Sequence, residues 1–381
     1  MRLMIAVTHL LGSGHLARAL ALAEAFADAG WTVEVASGGR PAPHLRAAGV
    51  TLHQLPPLAS DGADFSTLLT ADGRAADAAA LEERRHALTA LADRLQPDLL
   101  VTELFPFGRR ALAGEFEALL EWVASRPRRP LVLASVRDIL APPSKPARVA
   151  QTEARLLRFY DGVLVHSDPA VIPLEASWPL TPVMRGMLHY TGFVTPPPPP
   201  AEDGEEGRGE VLVTAGGGPV GRAVFEVAAR CAAAGPPGRR WRLLHAPGDA
   251  AFADGLRGLA PEDRLVVEPV RPDFRSLLSR AAAAVGRCGY NTALDCLALG
   301  VPSVFIPFED GRETEQATRA AILARRPGIA VLREAALTPA ALAAALEGVL
   351  GMAPEPLAPA SLAGAANSVG IVERLMRERE R

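Results

Sequence analysis

Between Arg287 and Ala320 the chain reads RCGYNTALDCLALGVPSVFIPFEDGRETEQATRA, and its polar residues fall where a strand-helix-strand-helix frame would gather them around a ligand. Arg287 and Gly289 precede Asn291 and Thr292, which stand where a loop turns into a helix, and Asp295 follows one turn later. Glu315 and Gln316 open another helix, after a buried strand that ends at Pro307. A helix N-terminus offers unpaired backbone N–H groups and the positive end of its dipole, worth roughly 0.3–2 kcal/mol to a nearby anion. A carboxylate one turn in accepts two hydrogen bonds from a ribose diol, and an adjacent Glu-Gln pair grips sugar hydroxyls. The set fits a sugar joined to a nucleotide diphosphate. Gly216, Gly217 and Gly218 follow the apolar run VLVTA and precede a helix, so their backbone N–H groups can close on a phosphate. Arg312 is a further candidate for the diphosphate, with Glu309 and Glu313 as its alternative partners.

The amino-terminal half offers a proton acceptor. His15 follows Gly12, Ser13 and Gly14 at the start of a predicted helix, whose dipole favours the neutral imidazole that can take a proton. Glu103 ends the apolar run PDLLVTEL, at the carboxyl edge where open parallel sheets place ligands. It either orients His15 or acts as the base itself. Gly12, Gly14 and Ala17 also fit G-x-G-x-x-A, a weak dinucleotide signal alone. The acidic residue that the fingerprint requires would be Glu34, but three more strand residues follow it, so it lies mid-strand and no nicotinamide or flavin cofactor is expected.

These residues need two cores to hold them. The 381 residues set a prior of two domains, and the chain is 49% hydrophobic. A net charge of −3, with no basic stripe interleaved with aromatics, argues against nucleic acid as a partner. Cys231, Cys288 and Cys296 form neither a disulfide framework nor a metal-ligand spacing, and no metal is expected. The N-terminus MRLMIAVTHL runs straight into a glycine turn without the longer apolar run of a signal peptide, and no 18-residue apolar run occurs. A cytoplasmic protein is expected, with peripheral membrane contact as one use for the basic spots at Arg109-Arg110 and Arg126 to Arg129.

Apolar runs alternate with helical patterns from residue 1 to about residue 195, which predicts an open parallel sheet with helices on both faces. PHLRAAGV (residues 43–50) is among the predicted helices, and VTLHQL is the strand after it. Five consecutive prolines, Pro196 to Pro200, and AEDGEEGRG then read as a linker over 196–209. The pattern restarts at EVLVTAGGG and runs over 210–360, and residues 361–381 read as a helix returning to the first domain. The fold expected is two Rossmann-like α/β domains facing each other across a cleft.

At these residues the chain resembles nucleotide-sugar glycosyltransferases of the GT-B architecture, and within them the MurG-like group. The likeness is most specific in RCGYNTALDCLALGVPSVFIPF, followed by Glu315-Gln316. It implies Asp295 at the ribose position, where the family usually has Glu, Gln316 at the sugar hydroxyls, and Gly216 to Gly218 as the second-domain glycine loop. Gly12 to His15 match the first-domain loop in part. ELFPFGRR, Glu103 to Arg110, together with Arg312 and Glu315-Gln316, is closer still to a branch of predicted bacterial glycosyltransferases. The resemblance implies a donor such as UDP-GlcNAc or a UDP-hexose and a small-molecule or lipid-linked acceptor.

The chemistry expected is sugar transfer with inversion, with His15 deprotonating an acceptor hydroxyl and backbone N–H groups receiving the leaving diphosphate. No D-x-D occurs, and no E-x7-E starts from Glu309 or Glu313. These absences favour a metal-independent, inverting route. The alternatives are a nucleotide-sugar 2-epimerase of the same frame, whose expected Glu-Glu doublet is replaced by Asn291-Thr292, and a non-catalytic sugar-nucleotide sensor.

Overall fold

The computed structural model describes the chain except residues 11, 61–66, 198, 200–203, 216–220, 247, 249, 310–313, 353 and 356. The chain divides into two compact units, residues 1–195 with 359–381, and residues 196–358.

The first unit runs β1 (Arg2–Val7), α1 (Gly14–Asp28), β2 (Thr32–Ser37), β3 (Val50–Gln54), α2 (Ala78–Leu95), β4 (Leu99–Glu103), α3 (Ala113–Ala124), β5 (Leu131–Arg137), α4 (Pro146–Phe159), β6 (Gly162–His166), α5 (Pro182–Gly186) and β7 (Leu188–Tyr190). Its seven strands pair in parallel in the order β3-β2-β1-β4-β5-β6-β7. The central strands β1, β4, β5 and β6 read as largely apolar runs because both faces are covered, while the edge strand β3 is mostly exposed. Leu3, Ile5, Val33 and Val101 pack with α1 on one face, and Met4, Leu100, Val132 and Ala134 with α2 and α3 on the other. No helix forms over residues 43–50, where turns lead into β3. Eight residues are too few to nucleate a helix unaided, and Gly49 takes a left-handed φ of 70° that ends any turn there.

The second unit runs β8 (Val211–Thr214), α6 (Arg222–Ala234), β9 (Trp241–His245), α7 (Ala250–Arg257), β10 (Leu265–Pro269), α8 (Phe274–Arg280), β11 (Ala283–Gly286), α9 (Tyr290–Ala298), β12 (Ser303–Phe305), α10 (Glu315–Leu323), β13 (Ile329–Val331) and α11 (Pro339–Val349). Its sheet is also parallel, in the order β10-β9-β8-β11-β12-β13. The acidic stretch before β8 is not loose: buried Arg242 binds Glu206, Glu210 and Glu268.

The last two helices, α12 (Pro359–Leu362) and α13 (Gly364–Arg379), belong to the first unit. Val369 and Val372 join the core under α1. Phe193 N–H donates to Ser361 O, Gly364 N–H to Phe193 O at 3.0 Å, and Asn367 Nδ2 to Thr191 O at 2.7 Å. Gly192 is required here: its φ is 81°, and a Cβ would lie 2.8 Å from the Ser361 carbonyl. No described helix is long and apolar enough to cross a membrane.

Candidate active site

In the first unit, the loop after β1 leads through Gly12, with a left-handed φ of 62°, and Ser13 into α1. Ser13 caps no N–H with its side chain. His15 lies in the first turn, and its Nδ1 is 2.9 Å from Glu103 Oε1 at the end of β4. Arg18, three residues on and so on the same face of α1, also donates to Glu103 Oε1. Burial alone would raise the Glu103 carboxyl, but the Arg18 charge and the hydrogen bonds from His15 and Ser135 outweigh it and hold it well below the usual carboxylate range. An ionised carboxylate only accepts, so the proton between the two groups sits on His15 Nδ1. Nε2 is then the lone-pair nitrogen. Burial, with the charges of Arg109, Arg18 and Arg137 adding, lowers His15 to about 3. The ring is neutral at physiological pH.

Glu103 is held from behind as well. Parallel register sets Glu103 of β4 beside Ser135 of β5. Ser135 Oγ donates to Glu103 Oε2 and lies 3.0 Å from His166 Nε2, at the end of β6. His166 Nδ1 is 2.9 Å from Thr191 Oγ1. Burial, with Arg18 adding, lowers His166 to about 3, so this ring is neutral too. Ser135 gives its proton to Glu103, so the neutral His166 ring carries its hydrogen on Nε2, toward Ser135, while the Thr191 hydroxyl beside Nδ1 also donates to the Gly192 carbonyl at 2.7 Å. The donors therefore point one way from His166 through Ser135 to Glu103.

In the second unit, Gly289 caps α9 with extended backbone and offers no side-chain acceptor to the first-turn N–H groups. Asn291 and Thr292 lie in that turn, Asn291 exposed and Thr292 half-buried. Asp295, in the following turn, is largely buried, and its Oδ1 lies 2.8 Å from Arg275 Nε of α8. Burial raises its carboxyl, and Arg275 opposes that shift. Glu315 and Gln316 open α10, and Gln316 Oε1 accepts from Phe308 N–H at 3.1 Å. Arg287 is 5% exposed and is gripped by both oxygens of Glu334, at 2.8 and 3.0 Å, and by the Ile306 carbonyl. It braces the end of β11 against the segment after β13. Gly216, Gly217, Gly218 and Arg312 lie outside the described residues.

Residues 211–375 match the glycosyltransferase family 28 C-terminal domain. The match covers less than half of the chain, and by it the chain is MurG-like. It is 30% identical over 211 residues to the UDP-N-acetylglucosamine--N-acetylmuramyl-(pentapeptide) pyrophosphoryl-undecaprenol N-acetylglucosamine transferase of Burkholderia multivorans, covering 54% of this chain and 52% of the relative. The enzyme of the same name from Gloeobacter violaceus is 26% identical over 196 residues, covering 51% of this chain and 52% of the relative. The chain spans about half the length of these curated relatives. Among solved structures, Acinetobacter baumannii MurG superposes with a TM-score of 0.62 at 15% identity, covering 99% of this chain and all of that one. The glycotransferase of kitacinnamycin superposes at 0.66 and 17% identity, covering 98% of both. These likenesses carry the GT-B fold along the whole chain, and the family match falls at residues 211–375.

The family 28 domain thus contains Asp295 and Gln316, while His15 and Glu103 lie outside it. Reasoning from the sequence missed Arg18, Ser135, His166 and Thr191. Arg18 had a weak signal, three residues past His15, and His166-Ser167 end an apolar run as Glu103 does. Nothing in the sequence pairs them with Glu103.

Proposed function

We propose that this protein transfers a sugar from a nucleotide-diphosphate sugar to an acceptor hydroxyl. The observation that carries the reading is the His15–Glu103 pair, a buried, oriented imidazole with Nε2 left to take a proton, in a chain that bears a family 28 domain. An acceptor hydroxyl loses its proton to Nε2 and attacks the anomeric carbon from the face opposite the diphosphate, so the configuration inverts. The leaving diphosphate is received by N–H groups of the Gly216–Gly218 loop and the first turn of α9. Asp295 takes the ribose hydroxyls through Oδ2, and Gln316 takes the sugar. The missing D-x-D supports a route without a metal. The relatives' name supports UDP-N-acetylglucosamine or another UDP-hexose as donor. Their acceptor supports a small-molecule or lipid-linked alcohol here, met in the cytoplasm or at its membrane surface.

Calorimetry with a panel of nucleotide sugars tests the donor assignment. One of them should bind, and at 100 times its dissociation constant should stabilise the fold by about 2.7 kcal/mol. Asp295→Ala and Gln316→Ala should each weaken that binding about 10- to 100-fold, the loss of one or two hydrogen bonds to buried polar groups. Silence across the panel, or full affinity in both variants, removes the donor site. Incubation with the donor alone separates the alternatives, because epimerised product without an acceptor identifies a 2-epimerase.

Ser135→Ala frees Glu103 Oε2 and should lower kcat about tenfold with KM unchanged, the equivalent of one hydrogen bond of about 1.4 kcal/mol. Ser135→Thr, which keeps the hydroxyl, should restore most of the rate. If both variants turn over as wild type does, the support behind Glu103 is structural only.

A further inference from the structure

Asp295 of α9 meets a cation that comes from the helix beside it. Phe274 and Leu278 of α8 and Thr292 and Cys296 of α9 line one small space with Thr214 and Gly286, the last residues of β8 and β11. The two helices therefore lie side by side at the carboxyl edge of the second sheet. Arg275, one residue past Phe274, reaches across to α9, where its Nε lies 2.8 Å from Asp295 Oδ1. Its Nη1 donates to the Pro197 carbonyl. A proline-run backbone makes no internal hydrogen bonds, which leaves that carbonyl open to the guanidinium. The Arg275 and Asp295 side chains are 18% and 14% exposed.

Arg275 is not held there for stability alone. Its Nε and Nη2 are buried and neither is aligned to hydrogen-bond with an acceptor, so it meets Asp295 as charge to charge. Buried N–H groups left in that state cost stability, which makes Arg275 a poor brace between two helices. What it supplies is a counter-charge. Burial raises the Asp295 carboxyl, and among the described residues Arg275 is the only charged group that acts to lower it. The other titratable group that responds to Asp295 is the Cys296 thiol, which burial, with Asp295 adding, pushes up to about 12, so it stays neutral. Asp295 Oδ2 accepts no hydrogen bond from any described residue.

We infer that Arg275 is the positioning residue of the donor site: anchored on the Pro197 carbonyl, it fixes where the Asp295 carboxylate points and leaves Oδ2 as the oxygen that meets the ribose. The inference rests on the donor reading above, in which Asp295 takes the ribose hydroxyls. An aspartate reaches one methylene less far from its helix than the glutamate usual in the family, so its aim depends more on what holds it. An ionised carboxylate accepts hydrogen bonds at both oxygens, whereas a protonated one has given up part of that capacity. Arg275 thereby keeps the site ready for a hydroxyl as pH falls.

The test uses the full chain and UDP-N-acetylglucosamine, whose esterified diphosphate takes up no proton in the range used. Its affinity is measured by calorimetry at about pH 7.5 and at about pH 5.5. Arg275→Met keeps the stem and removes the charge. It should bind about 10-fold more weakly than wild type at the higher pH and about 100-fold more weakly at the lower, because burial then protonates Asp295 unopposed. Arg275→Lys, which keeps the charge, should recover most of the affinity and the wild-type pH dependence. If Arg275→Met does not fold, Arg275→Gln is read in the same way. Wild-type affinity in the uncharged variant, a loss that is the same at both pH values, or no recovery in Arg275→Lys overturns the positioning role and leaves the donor reading in place. If this probe is silent on wild type, the nucleotide sugar of the panel that does bind replaces it. A wild type that binds none of them removes the donor reading, and this inference with it.

Discussion

His15→Ala should lose transfer activity by about 10²- to 10⁴-fold in kcat, the usual contribution of a positioned base. Donor affinity and melting temperature should stay close to wild type, because the residue sits in the first turn of α1 and Asp295 and Gln316 belong to the other unit. The check is a transfer assay beside donor calorimetry on the same sample. Full activity in the variant removes His15 as the base. The pH profile adds a second reading. Burial, aided by Arg109, lowers His15 to about 3 from the model-peptide value of 6.5, so the base is already neutral at pH 6.5. The acid limb of kcat/KM, which reports the free enzyme, should therefore lie well below 6.5. His166 is lowered similarly, to about 3. Between about 3 and 6.5 the unfolded chain binds protons that the fold refuses, so stability should fall as pH drops through that window.

Glu115→Ala should destabilise the protein by about 3–5 kcal/mol, the cost of breaking a buried ion pair from one side. Glu115 of α3 binds Arg84 of α2 through both oxygens, Oε2 to Nε and Oε1 to Nη2, each at 2.9 Å. Arg84 is completely buried and also donates to the carbonyls of Gly38 and Pro56 and to Thr8 Oγ1. The guanidinium thus ties two helices to the loops at the carboxyl ends of β1, β2 and β3. Removing the carboxylate leaves a full charge with only neutral partners. Urea denaturation measures the effect, and a loss under about 1 kcal/mol would mean that the carbonyls alone compensate the charge. Replacing both residues, Arg84→Met with Glu115→Leu, should recover much of the loss.

The strands and their parallel arrangement were legible because LMIAV, LLV and VLV are unbroken apolar runs, which a sheet covered on both faces demands. The carboxyl-edge rule then placed Glu103. What stayed hidden was partnership. Ser135 and His166 lie 32 and 63 residues from Glu103 in the chain and meet it only through strand register. Arg275 reaches Asp295 from a separate helix, and Glu334 reaches Arg287 across two strands, so neither ion pair left a local mark in the sequence. The short helix expected over 43–50 failed because two turns are too few to repay nucleation and Gly49 takes a left-handed φ, although Leu45 and Ala47 still pack on the core.

The return of the chain's end has a practical consequence for anyone recombining such proteins. A chimera joined only at Thr195 would give the amino-terminal lobe of one parent the tail of another, although residues 359–381 fold with that lobe. Thr191 takes Asn367 on its carbonyl while its hydroxyl supports His166, so a foreign tail would disturb the hydrogen-bonded line that ends at His15. Inheritance in this architecture therefore needs two crossover points, the second near Ala358, for the parental base to arrive with its own supports.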